Sequence, residues 1–336
     1  MRNGYGPRPK SVFTIHNIAY QGAFDPAVFN ELWLPGHEFS LNGVEFYGRV
    51  GFLKAGLVGA DKLTTVSPSY AREIRTAAFG YSMEGILRQR AGDLVGILNG
   101  IDEEIWDPKT DVALPETYSE FRLEGKAENK RQLQREMGLV ENPDALIISV
   151  VSRLAHQKGL DILPGLLETI VARGGQFVLL GSGDPHLENL FTEIAAQHPE
   201  SIAVRIGYDE PLAHRIYSGA DAILVPSRFE PCGLTQLYGL RYGTVPIVAH
   251  TGGLADTIID ANEMALRNGS ATGVQFSPVT AEALSFALER LFDLYRNHET
   301  WTAIMRRGMK EQVGWRASAA RYLDLYRTLT DPPSAE

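Results

Sequence analysis

From about residue 145 onward, short apolar runs alternate with amphipathic stretches in a regular beat. Leu146–Val151, Gln176–Leu180, Ala203–Ile206, Ala222–Val225, Pro246–Ala249 and Gly273–Phe276 read as strands, each followed by a helix-like stretch of about ten residues. Such alternation implies a parallel sheet with helices on both faces. Two closing helices carry apolar stripes, one through Leu284, Ala287, Leu288, Leu291, Phe292 and Tyr295, the other through Tyr322, Leu325, Tyr326 and Leu329. The end of the chain, Asp331–Glu336, reads as a frayed tail.

The first hundred residues follow the same pattern less fully. Ser11–Ile15, Lys62–Val66 and Leu94–Leu98 read as strands, and a glycine-containing helix is expected around Arg49–Gly59. Three strands with their helices make half of a doubly wound domain, and no glycine-rich phosphate loop precedes the first strand. The expectation is an N-terminal domain that lacks its opening part; a small first domain is the alternative. Residues 101–144, with Pro108, Pro115, Pro143 and the charged run Glu124–Glu136, read as a linker and then a helix. The expected division is a partial N-terminal domain plus linker over residues 1–124, a C-terminal domain over 125–312, and a last helix over 313–330 that crosses back to the first domain.

Composition narrows the partners. A 336-residue chain that is 44% hydrophobic can fill two cores, and a net charge of −9 disfavours nucleic acid or an anionic membrane as partner. The single cysteine excludes an intramolecular disulfide and fits a reducing, cytoplasmic setting, and no zinc-type Cys/His spacing occurs. Met1–Pro7 has no apolar core of the signal-peptide kind, and no apolar run is long enough to span a bilayer as a helix.

The stretch with most chemical content is Ser227–Gln236, which puts a carboxylate, Glu230, and a glycine, Gly233, between a buried strand and a helix. In open α/β sheets ligands bind outside the carboxyl ends of strands. Glu230 is therefore expected to face a neutral, hydroxyl-rich group beside an anion, as a sugar diphosphate offers. Arg153 and Lys158 follow the strand ending at Val151, where two cations suit a diphosphate; a pair of surface cations is the plain alternative. Tyr208, after the strand ending at Ile206, offers a ring to a nucleotide base or simply packs at the sheet edge. His16 ends the first strand and either meets a substrate hydroxyl or is a capping or core histidine, and Cys232, which as a lone cysteine could be a nucleophile, reads more readily as a small packed residue. The turn Gly181-Ser182-Gly183 lacks the dinucleotide fingerprint, since His186 stands where its third glycine belongs, and no Walker-type loop occurs.

Together these segments resemble, in order, the signatures of the bacterial glycogen synthases, the ADP-glucose-dependent starch/glycogen synthase family of retaining glycosyltransferases. The resemblance rests on His16–Gly22, Ala60–Pro68 (ADKLTTVSP), Gly96–Asp102 (GILNGID), Ser152–Asp161 (SRLAHQKGLD), Gly207-Tyr208, Pro226–Gly243 (PSRFEPCGLTQLYGLRYG) and Thr251–Thr257 (TGGLADT). It implies an α/β fold of the GT-B type, two Rossmann-like doubly wound domains facing a cleft, the N-terminal one incomplete here. It further implies that Arg153 and Lys158 bind the diphosphate, Tyr208 beside Gly207 stacks on adenine, and Glu230 holds the donor glucose. Backbone around Cys232, Gly233 and Leu234 would contact sugar and phosphate, and Thr235 would back the distal phosphate. His16 would reach the glucose, and Asn99 would lie in the cleft. The implied partners are ADP-glucose and an α-1,4-glucan, with no cofactor and no metal. The family's opening Lys-Thr-Gly-Gly-Leu loop does not occur in this sequence, which resembles a copy truncated at its N-terminus. A UDP-glucose-using transferase of the same fold and a binding-only remnant stay open as alternatives.

Overall fold

The computed structural model describes residues 9–330, so the expected frayed tail at 331–336 and the opening heptapeptide lie outside the described residues. The chain divides into two compact units, one formed by the residues up to Asn99 together with those from Arg316 onward, the other by Gly100–Trp315.

In the first unit, β1 (Val12–Ile15), β5 (Lys62–Thr65) and β6 (Leu94–Gly96) form a three-stranded parallel sheet in the order β1-β5-β6. Its core gathers Ile15, Ile18, Leu57, Leu63, Tyr70, Ile74, Met83 and Leu87. Alternation turns Thr64 away from Leu63, and its hydroxyl meets that of Thr14 at 2.7 Å on the neighbouring strand. The expected helix from Arg49 begins only at Phe52. Before it, β4 (Arg49–Gly51) pairs antiparallel with β2 (Ala23–Phe24) and β3 (Glu45–Phe46). Tyr47 and Gly48 both have positive φ, 48° and 75°, which makes the tight β3–β4 turn whose twist suits a hairpin. The C-terminal helix Trp315–Thr330 belongs to this unit from Arg316, and its Ser318 hydroxyl donates to the Leu98 carbonyl at 2.5 Å.

The second unit is built on a six-stranded parallel sheet of β7 (Ile147–Val151), β8 (Gln176–Gly181), β9 (Ile202–Ile206), β10 (Ala222–Val225), β11 (Val245–Ala249) and β12 (Val274–Phe276). Their spatial order is β12-β11-β10-β7-β8-β9. The chain starts in the middle at β7, builds outward through β9, then returns to the other side of β7 and builds outward again. Apolar clusters fill both faces, one around Ile148, Leu179, Leu224 and Ile247, the other around Ile147, Val178, Ile223 and Val248, as alternation along buried strands requires.

Residues 100–123 are not a linker. Trp106 stacks on His214 and Tyr238 with centroids 3.8 and 3.9 Å away, and the Tyr118 hydroxyl donates to the Tyr242 carbonyl at 2.7 Å. Asp111 is buried and bonds His214 Nδ1 at 2.7 Å and the Tyr242 hydroxyl at 2.5 Å. The segment packs through scattered aromatic and polar anchors instead of a periodic stripe. The charged run after it forms the helix Glu124–Met137, and its Lys126 ammonium donates to the Tyr217 and Ser218 carbonyls near the end of the helix Glu210–Gly219.

Candidate active site

Strands β7 and β10 lie side by side but belong to opposite directions of sheet growth, the place where open α/β sheets bind ligands. Both loops carry residues singled out from the sequence. The first runs from Ser152 to Lys158, the second from Pro226 to Leu234, and they are stitched together. Arg228 N donates to the Gln157 carbonyl at 2.9 Å, Gln157 Nε2 donates to the Phe229 carbonyl at 3.2 Å, and the Arg228 guanidinium makes a two-pronged pair with Asp161 at 2.6 and 2.7 Å. That guanidinium holds the Asp161 carboxyl below its usual value. Close approach explains one glycine here: a Cβ on Gly159, whose φ is +66°, would lie 2.0 Å from the Pro226 carbonyl oxygen.

At the centre is Glu230, 6% exposed. Its Oε2 accepts from Lys158 Nζ at 2.6 Å and from the Ser227 hydroxyl at 2.8 Å. The structure thus brings together Lys158 and Glu230, which the sequence assigned to different parts of a ligand. Arg153 stands exposed at the start of the same loop as Lys158.

The turn after Glu230 is held from two sides. From one, Gly253 N donates to the Glu230 carbonyl at 2.9 Å, and a Cβ on Gly253 would lie 2.1 Å from the Cys232 carbonyl oxygen. From the other, Gln236 Nε2 donates to the Cys232 and Gly233 carbonyls at 3.0 and 2.9 Å. Gln236 is fully buried, and its Oε1 faces Gly233 without a hydrogen-bond partner. Cys232 is buried, whereas Leu234 is exposed and Thr235 opens the helix Thr235–Arg241. Gly207 follows β9 and donates its N–H to the Gly181 carbonyl at 3.0 Å, which ties the ends of β8 and β9 together. Beyond it, the Tyr208 ring is 86% exposed and its hydroxyl donates to Glu210 at 2.9 Å, a bond that pushes the phenol pKa up.

In the first unit, His16 is exposed directly after β1, and Asn99 is half-buried beyond the end of β6. Both therefore stand at the carboxyl edge of the same parallel sheet. Among the described residues, no three His, Cys, Asp or Glu side chains gather as a metal-ligand set, and no helix is long and apolar enough to cross a membrane.

Sequence reasoning gave no role of their own to Ser227, Gln157, the Arg228–Asp161 pair or Gln236, although all of them lie in the stretches it singled out. The only signal for Ser227 was its place three residues before Glu230, which reads equally well as a helix-capping spacing.

Residues 2–89 match the family described as starch synthase catalytic domain, and residues 133–307 match glycosyl transferases group 1. The glycogen synthase of Roseobacter denitrificans is 53% identical over 323 residues, covering 96% of this chain and 67% of the relative. That of Rhodopseudomonas palustris is 54% identical over 325 residues, covering 97% and 67%. This chain spans about two thirds of the length of these curated relatives. Among solved structures, the catalytic domain of starch synthase IV from Arabidopsis thaliana, bound to ADP and acarbose, superposes with a TM-score of 0.90 at 34% identity, covering 95% of this chain and 66% of that one.

Proposed function

Because the chain belongs to the glycogen synthase family of glycosyltransferases and has the GT-B fold, we propose that it transfers glucose from ADP-glucose to the nonreducing 4-hydroxyl of an α-1,4-glucan, with retention, releasing ADP. The observation that carries the reading is the hydrogen-bonded cluster of Glu230, Lys158 and Ser227 on the two loops that follow β7 and β10. The relative solved with ADP supports an adenine nucleotide as the donor's carrier. A cytoplasmic enzyme fits a sequence with a single cysteine and hence no intramolecular disulfide.

In this reading Arg153 and Lys158 neutralise the diphosphate, Tyr208 stacks on adenine beside Gly207, and Glu230 accepts hydroxyls of the donor glucose. Backbone of Cys232, Gly233 and Leu234 lines sugar and phosphate, Thr235 backs the distal phosphate, His16 reaches the donor glucose, and Asn99 lies in the cleft. The bond from the anomeric carbon to the diphosphate oxygen breaks through an oxocarbenium-like transition state, as in glycoside hydrolysis. A new bond to the acceptor 4-oxygen forms on the same face, and the acceptor's proton passes to the departing phosphate oxygen. Negative charge grows on that phosphate, so fixed cations stabilise the transition state more than the ground state. Lys158 serves this charge in the proposed reaction after releasing Glu230.

The deciding experiment pairs calorimetric titrations with ADP and UDP with an assay of glucan elongation from ADP-glucose. ADP-selective binding with chain elongation is the expected result. Binding without elongation would assign the chain a binding role only, and equal or preferred UDP binding would overturn the donor assignment.

A further inference from the structure

We propose that Ser227 is a positioning residue for donor sugar, fixing the plane of the Glu230 carboxylate through Oε2 so that Oε1 is presented to a sugar hydroxyl. The inference rests on the reading that Glu230 meets the donor glucose, and it gives a role to a residue to which neither the sequence motif nor the family resemblance assigned one.

Three observations lead to it. Ser227 has no exposed surface, and its hydroxyl donates to Glu230 Oε2 at 2.8 Å. The same oxygen takes the Lys158 ammonium at 2.6 Å, so both protein bonds to the carboxylate converge on one atom. Among the described residues Glu230 Oε1 makes no hydrogen bond, and it is not fully buried. The two partners of Oε2 differ in kind. Lys158 reaches it along a flexible stem from another loop, 72 residues away in sequence, and keeps 18% of its side chain exposed. Ser227 sits on a short side chain just past the buried end of β10. When Lys158 turns to the diphosphate, the serine hydroxyl is the bond that remains.

The terminal torsion of a glutamate is broad, so a carboxylate with no fixed partner samples many planes. Ser227 removes that freedom before the sugar arrives, and preorganisation of this kind raises affinity for the group recognised. Its effect is therefore confined to ligands that carry the sugar.

The test is calorimetric titration of the full chain, wild type, Ser227→Ala, Ser227→Thr and Glu230→Ala, with ADP and with ADP-glucose, alongside thermal melts. For Ser227→Ala the expected result is an ADP Kd within about twofold of wild type and an ADP-glucose Kd about tenfold weaker, the scale of losing one hydrogen bond to a charged group. Ser227→Thr, which keeps the hydroxyl, should restore most of the preference. Equal losses for both ligands would show that the serine only supports the turn, and an unchanged ADP-glucose Kd would show that it positions nothing; either overturns the proposal. Glu230→Ala separates the two readings: if it leaves the ADP-glucose to ADP affinity ratio untouched, the assignment of Glu230 to the sugar fails. If it destroys the ratio while Ser227→Ala does not, only the role of Ser227 fails.

Discussion

The two parallel sheets of this chain are made of the same local pieces and differ in how far they are carried. The three strands of the first unit run β1-β5-β6 in one direction of growth, whereas the six strands of the second grow outward from β7 in both directions. Among the described residues, only the second of these sheets has neighbouring strands that belong to opposite directions of growth. At that point stand Lys158, Ser227 and Glu230, bonded to one another. On the first sheet His16 and Asn99 share the carboxyl edge. The difference teaches that strand-helix alternation sets the architecture, while the reversal of strand order marks where on it the candidate site gathers.

The sharpest way to test that contrast is to remove the cation at the reversal. Lys158→Ala should lower glucan elongation about 10²- to 10³-fold, the usual effect of losing a group aimed at developing charge, with the fold retained in circular dichroism. Near-normal turnover would break the assignment. Next comes the helix that braces the turn: Gly253→Ala pushes a methyl into the Cys232 carbonyl, and should cost about 1–3 kcal/mol of stability with ADP binding at least about tenfold weaker. His16→Ala sharpens the comparison from the other side. Its ADP Kd should stay within about twofold of wild type, since a lost exposed contact is worth little; a large loss would place nucleotide recognition on the first sheet too.

The smallest expected effect is on pH. Arg228 holds the Asp161 carboxyl below its ordinary value in the folded chain, so the pair's stabilisation is present above the unfolded pKa of about 3.9 and fades as pH falls through the lower folded value. Because both side chains are partly exposed, the contribution should be about 0.5 kcal/mol. Urea midpoints of Arg228→Gln and wild type should differ at neutral pH and converge in acid; divergence there would reverse the sign of the linkage.

Much of the second unit was legible because each strand is short, apolar and bounded. Observed strand ends fall within a residue of the runs read from the sequence, as with Ala222–Val225 and Val245–Ala249. The antiparallel ribbon of the first unit was not, because strands such as Ala23–Phe24 and Glu45–Phe46 are too short to show a period, and a Tyr47-Gly48 turn carries no Asn or Asp to announce it. Residues 100–123 were misread for a related reason: Trp106, Asp111 and Tyr118 are anchored at irregular intervals, and prolines among them suggested a loop. At the site, Glu230 and Lys158 were legible as residue types beside strand ends. Their bond was not, since no local pattern relates positions 72 apart.

Cys232 is the chain's only cysteine, and it is buried at the turn that Gly253 and Gln236 hold. A thiol reagent can then modify the molecule at a single address, and only when that turn opens. The rate of labelling becomes a clock for the opening, read without any added tag, and a nucleotide that closes the turn should slow it in proportion to its occupancy.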